Sequence, residues 1–217
     1  DGYWNGAVWY AETSVSPETS SADRPLLKKI ERSGATGPTA VAALFTEEPW
    51  LLAGQDRLWI ISSSATGYYN GVEIVRLSDH RAMGNISRPF FYRGRPAVVE
   101  DRPGELFLRV LGSDGDWQMA AKLEMAAHED SRCIWCNIQV LSRGEELYAF
   151  LRHGDTLFFR EGLPLEGEND NETWRPVAEA GGSWYASFLG NDPVVFLKRP
   201  AEGKQRLVGL QRNGDSW

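Results

Sequence analysis

A pattern that returns about every fifty residues constrains this chain more than any other feature. Four segments carry it: PWLLAGQDRLWII from Pro49, PAVVEDRPGELFLRVL from Pro96, LYAFLRHGDTLFFRE from Leu147 and PVVFLKRPAEGKQRLVGL from Pro193. Each is a short apolar run, a glycine-containing turn and a second apolar run led by leucine. The leading residues Leu58, Leu106, Leu157 and Leu207 are separated by 48 (106−58), 51 (157−106) and 50 (207−157) positions. The runs are short, β-branched or aromatic, and bounded by Gly, Pro, Asn and Asp, so they are expected as strands.

Each unit extends to four strands, A to D. In the second unit these are 39–46 (TAVAALFT), 50–53, 58–62 and 72–77. The third has SRPFFYR, PAVVE, ELFLRVL and WQMAAKLE; the fourth has IWCNIQVL, LYAFLR, TLFFR and TWRPVAE. The fifth has WYASFLG, PVVFLK and QRLVGLQ, followed by NGDSW. Residues 118–128 (QMAAKLEMAAH) are strong helix formers, but the repeat makes their first half a strand D. The C runs are apolar on both faces, as sheets packed between neighbouring sheets require. Four antiparallel strands per repeat of about 40–50 residues is the signature of a β-propeller blade. The expected fold is therefore all-β, a propeller domain or propeller segment with blade units at about 1–34, 35–84, 85–130, 131–181 and 182–217.

Fifty residues before Leu58 stands Val8, and VWYAETS lies over LWIISSS. This alignment makes Asn5-Gly6 the turn before a strand C, equivalent to turns at Gly54, Gly104, Gly154 and Gly203, and puts Trp4 at the end of a strand B. Asn-Gly between apolar runs is a strong hairpin signal, because a type I′ turn needs positive φ at both positions. The chain then holds three complete blades and two partial ones. A closed four-blade ring would pair the last A and B strands with the first C and D. A larger ring would take its missing blades from the same or another chain.

The nine Trp and 22 Gly agree with strands joined by tight turns. A net charge of −7, with no Lys/Arg run, opposes nucleic-acid or anionic-membrane binding. No stretch approaches the roughly 18 apolar residues of a membrane-inserted helix. Cys133 and Cys136 have CxxC spacing, but positions three apart on a strand face opposite sides, so they are expected as two small core residues. Asn85-Ile86-Ser87 and Asn171-Glu172-Thr173 match the glycosylation acceptor pattern.

These blades resemble the β-propeller repeat superfamily. The stretch SDGDW, with Ser113, Asp114, Gly115 and Trp117, is similar to a compressed Asp-box of the sialidase and lectin propellers, and NGDSW is a further variant lacking the Asp before Gly214. The Gly, Tyr and Trp usage is similar to kelch repeats, with Gly181-Gly182 as the near match to their double glycine. The resemblance implies a rigid scaffold that serves enzymes, lectins and interaction modules alike.

Propeller glycosidases need paired carboxylates on the innermost strands. The candidate inner strands TAVAALFT, SRPFFYR, IWCNIQVL and WYASFLG carry no Asp or Glu. No GxGxxG, phosphate loop or GxSxG is present, so no nucleotide cofactor is expected. His80, His128 and Asp130 lie in D-to-A connections and are the weak candidates for a metal. Residues 161–174 form an acidic C–D loop, with 13–23 and 62–71 as further C–D loops gathered at one face. The expected function is a non-catalytic module that binds a protein or another macromolecule through its loops. Tyr68, Tyr69 and Trp174 are the candidate anchors. The alternatives are a carbohydrate-binding propeller, in which Trp117, Trp174 and Trp217 would stack on sugars as repeated elements, and a segment of a propeller enzyme.

Overall fold

The computed structural model describes residues 2–5, 7–13, 25–31, 40–41, 49–79, 83, 85–102, 105–124, 138–167, 173–180, 182–201, 204–214 and 216–217. The apolar runs that the structure describes are strands; of the expected strands 39–46 and IWCNIQVL only residues 40–41 and 138–141 are among the described residues. The first sheet holds β1 (Gly2–Trp4), β2 (Ala7–Thr13), β3 (Pro25–Glu31) and β4 (Ala40–Val41) in that order. The second holds β5 (Trp50–Ala53), β6 (Leu58–Ile61), β7 (Ala65–Tyr69) and β8 (Ile74–Asp79). The third runs β10 (Phe90–Tyr92), β11 (Arg95–Arg102), β12 (Glu105–Leu111) and β13 (Trp117–Leu123), with β9 (Asn85–Ile86) added on β11. The fourth runs β14 (Ile138–Arg143), β15 (Glu146–His153), β16 (Thr156–Glu161) and β17 (Arg175–Glu179). The fifth has three strands, β18 (Trp184–Leu189), β19 (Asp192–Ala201) and β20 (Lys204–Gln211).

All pairings between named strands are antiparallel. The sheets form a ring-like, all-β arrangement of propeller blades. The first strands are innermost: β1 touches β5, β10 touches β14, and β14 touches β18. The helix formers of 117–123 are in strand β13, because pairing with β12 along the whole segment outweighs their intrinsic preference.

The fifty-residue alignment is one strand out in the first two blades. Residues 50–53 are the innermost strand of the second blade, where a second strand was expected. Leu58 begins its second strand, whereas Leu106, Leu157 and Leu207 lie in third strands. The expected loop 62–71 contains β7, a strand of small residues and tyrosines. Residues 40–41, expected to pair with residues 50–53, pair instead with Leu26 and Leu27 of the first blade. Likewise Trp4 ends a first strand and Val8 lies in a second, so the first blade is four-stranded rather than a fragment, and among the described residues no strand of the fifth blade pairs with it. In place of three full blades and two partial ones, the described residues form four sheets of four or five strands and one of three. The expected C–D loop 13–23 lies, apart from Thr13 at the end of β2, outside the described residues.

Register breaks support the corrected alignment. Between third and fourth strands they fall at Thr66/Gly67, Leu108/Arg109 and Leu157/Phe158. Such bulges increase local twist, and their shared place identifies β7, β12 and β16 as equivalents. Asn5-Gly6 does connect two paired strands, since Trp4 pairs with Ala7 and Asn5 has φ 48°. The hairpin was read correctly, but it joins the first strand to the second.

The core lies in the seams between blades, one apolar cluster per seam. Ala7 and Trp9 meet Leu51, Leu58 and Ile60 between blades one and two. Ile61 meets Ile86 and Val98 in the next seam. A large cluster around Leu108, Val140 and Leu151 joins blades three and four, and another around Phe150, Phe159, Ala186 and Leu197 joins four and five. Polar clips accompany the packing. The Gln139 amide donates to the Ala186 carbonyl at 2.7 Å and accepts from its N–H at 2.9 Å, so one side chain satisfies both backbone groups of the adjacent blade. Ser142 Oγ accepts from the Phe91 N–H at 2.9 Å. Ser87 of the first acceptor-like motif is buried, its Oγ accepting from the Val99 N–H.

The acidic 161–174 connection is anchored in its first part. Leu165 bridges to Leu123, the Glu124 N–H donates to the Pro164 carbonyl, and the Glu166 N–H donates to the Lys122 carbonyl. This segment covers the outer edge of β13, which would otherwise present unpaired backbone groups.

Candidate functional site

The connections between first and second strands stand nearest the axis. In blades one, three, four and five they are two residues long: Asn5-Gly6, Arg93-Gly94, Gly144-Glu145 and Gly190-Asn191. Arg93 and Gly94 have φ of 50° and 72°, as a type I′ turn demands. In the second blade alone the pairing Ala53↔Leu58 leaves four residues, Gly54-Gln55-Asp56-Arg57. Beside this longer turn opens a cleft of ≈ 770 Å³, lined by the turn itself, Trp59, Phe91, Gly94, Ser142 and Gly144. It is thus framed by the turns of three consecutive blades.

Arg57 is the principal cation of the cleft. Its guanidinium lies over the Tyr68 ring at 4.5 Å and the Trp59 ring at 5.4 Å, and those rings meet edge to face at 5.7 Å. Stacking on π-faces holds a guanidinium while leaving its edge available for polar contact. Asp56 accepts from Arg57 Nε at 3.0 Å and 3.1 Å. The hydrogen bond from Arg57 holds the Asp56 carboxyl below the usual carboxylate range and raises the arginine further above neutral pH. The pair is therefore ionised throughout the physiological range, and being exposed it contributes little to stability. Gly54 lets the turn close tightly: a Cβ would stand 3.0 Å from the Arg57 carbonyl oxygen and 3.3 Å from Trp59 Nε1, so its neighbours would have to give by a few tenths of an ångström.

The structure places the five predicted aromatics at this same end of the blades, with different partners. Tyr68 adjoins the cleft through Arg57 and Trp59. Tyr69 packs on Trp9 at 5.1 Å across the first seam and donates its hydroxyl to the Gly71 carbonyl. Trp117 fills the second seam and donates Nε1–H to Thr66 Oγ1 at 2.8 Å. Trp174 packs on the third seam beneath Arg160, 5.7 Å away. Trp217 meets Phe150 and Phe159 in the fourth, at 5.8 Å and 5.3 Å. Trp117, Trp174 and Trp217 are thus repeated elements, each following a third strand and filling the seam with the preceding blade. His80, His128, Asp130, Cys133 and Cys136 lie outside the described residues. Among the described residues no group of three His, Cys, Asp or Glu side chains could hold a metal ion.

No Asp or Glu occurs in the innermost strands β1, β5, β10, β14 or β18. The fully buried carboxylate Glu100 lies in a second strand, where Arg109 Nε approaches at 2.7 Å and Arg102 Nε at 3.2 Å. Sequence reasoning missed Asp56, Arg57 and Phe91. The available signal was the length of the turn around Asp56-Arg57, which is legible only when Trp50 is placed on an innermost strand. No protein-family model matches this chain, and no curated protein matches it in sequence.

Proposed function

We propose that this chain is a non-catalytic interaction module of the β-propeller repeat superfamily, and that it engages a protein partner at the cleft beside Asp56 and Arg57. One observation carries the proposal: a single enlarged turn near the axis opens a cleft across three blades and presents a guanidinium already held by two aromatic rings. An arginine ordered in this way loses less rotamer freedom on binding, and arginine and aromatic residues dominate binding energy at protein interfaces. Tyr68, an expected anchor, supports that arginine. The expected sugar platforms Trp117, Trp174 and Trp217 serve the seams, which favours the protein-binding alternative over the carbohydrate one.

A photo-crosslinking amino acid at Gln55, on the exposed turn, tests the proposal. It is expected to yield a discrete adduct that disappears with Arg57→Glu while the circular dichroism spectrum is retained. The same probe at Val72, on an exposed outer turn, is expected to yield no such adduct. Adducts that are equal at both positions, or indifferent to Arg57→Glu, would refute it.

A further inference from the structure

The innermost strand of the third blade is interrupted. Its two parts, β9 and β10, both pair with β11, but their registers differ by one residue: Ile86 faces Glu100, whereas Phe90 faces Ala97. The Ser87 N–H donates to the Val99 carbonyl at 2.8 Å, while the Val99 N–H donates to Ser87 Oγ at 2.9 Å. Arg88 and Pro89 are left together opposite Val98, one residue more than a regular ladder holds. Proline has no N–H to contribute there. A bulge of this kind re-aims a side chain and is over-represented next to functional sites.

Arg88 leaves this bulge toward the middle of the ring. Its guanidinium lies 4.7 Å from the Tyr185 ring of β18 and 5.7 Å from the Trp50 ring of β5. Those rings belong to blades five and two, so a side chain of blade three reaches both across the axis. Stacking uses the faces of a guanidinium, whereas its N–H donors lie in its plane. The three residues border a cavity of ≈ 250 Å³, whose lining also includes Trp184 and the buried Ile138 and Gln139. Arg88 is the charged residue of that lining. Among the described residues, no Asp or Glu stands on the innermost strands around it. The Gln139 amide is engaged with Ala186. Trp50 and Tyr185 remain 38% and 41% exposed, so both keep ring surface for a further contact.

We infer that this axial cavity binds a small aromatic carboxylic acid, with its carboxylate on the edge of Arg88 and its ring against Trp50 and Tyr185. A planar guanidinium matches a carboxylate with two parallel hydrogen bonds. Flat aromatic walls favour a flat aromatic body over an aliphatic one. The volume falls below the roughly 300–1,000 Å³ of sites for drug-sized ligands, which restricts the ligand to about one ring. The cavity shares no lining residue with the cleft at Arg57, so the two sites stand or fall separately.

Calorimetric titration of the 217-residue chain with benzoate tests this, beside benzamide as the neutral isostere and acetate as the acid without a ring. Benzoate is expected to bind saturably with a Kd below about 1 mM, and benzamide and acetate about tenfold or more weaker. Arg88→Gln is expected to lose about tenfold in benzoate affinity with the circular dichroism spectrum retained, and Arg88→Lys, which keeps the charge but not the fork, somewhat less. Tyr185 is exposed, so its truncation opens no core, and Tyr185→Ala is expected to weaken benzoate about fivefold. In nuclear magnetic resonance spectra the indole N–H signals of Trp50 and Trp184 are expected to shift on addition of benzoate, while that of Trp117 in the second seam stays in place. Equal affinity for benzamide, or undiminished binding by folded Arg88→Gln, would overturn the assignment. So would the absence of saturable binding, or a shift at Trp59 in place of Trp50, which would move the acid to the cleft at Arg57.

Discussion

At the residue scale, the aromatic side chains were legible as important and illegible as to role. A half-buried Trp after a Gly-containing turn has the same sequence context whether its ring faces a ligand or the next blade. Trp117 is assigned by its bond to Thr66, 51 positions away, and no local pattern encodes that contact. Tyr148 shows how position also sets chemistry. It is buried in the fourth seam against Phe159 and Phe188, and its hydroxyl donates to Glu146 at 2.9 Å. Burial first, and then the Glu146 carboxylate, raise its pKa above the ordinary tyrosine value. A group that holds its proton more tightly when folded contributes stability that is present below the unfolded pKa, about 10, and lost as pH rises through the folded one. Denaturant midpoints are thus expected to fall as pH is raised beyond about 10, and to fall less steeply in Tyr148→Phe.

At the scale of the element, hairpins were found reliably, but their place in the blade was not. Each blade contains two successive connections of similar composition, from first strand to second and from second to third. In blades three to five both are short connections between apolar runs, and alternation with period two is the same in all strands. A one-strand slip in the alignment therefore conflicts with nothing local. In β7 the small residues Ala65, Thr66 and Gly67 are buried, so a segment with the composition of a loop is a strand because neighbouring sheets leave it little room. The turns themselves obey known stereochemistry. Arg93 occupies the left-handed region with a full side chain, which asparagine tolerates better. Arg93→Asn is expected to raise stability by about 0.5 kcal/mol, detectable as an upward shift in thermal midpoint.

At the scale of the whole molecule, stability resides between blades as much as within them, since each seam has its own apolar cluster. An architecture of stacked units transmits damage to nearest neighbours. Gln139 allows this to be measured, because its side chain bonds both backbone groups of Ala186, a fully buried residue of the next blade. Gln139→Leu leaves those groups without their side-chain partner, at a cost of roughly 3 kcal/mol. Hydrogen exchange is expected to accelerate in β14 and β18, with β5–β7 unaffected. Uniform acceleration across all five sheets would instead indicate a single cooperative unit.

The sequence by itself determined most of the strands, most of the turns and the class of fold. These depend on local alternation, glycine conformations and a recurring length, all of which are written along the chain. It also indicated that carboxylates are absent from the innermost strands, a conclusion that survives the realignment because neither set of candidate strands contains one. Only the tertiary structure decided which strand is innermost, which Trp rings fill seams, and where one longer turn opens a cleft. Those outcomes depend on contacts between residues about fifty positions apart. The same apolar and glycine-rich segments satisfy several alignments locally, and packing of one blade on the next selects among them.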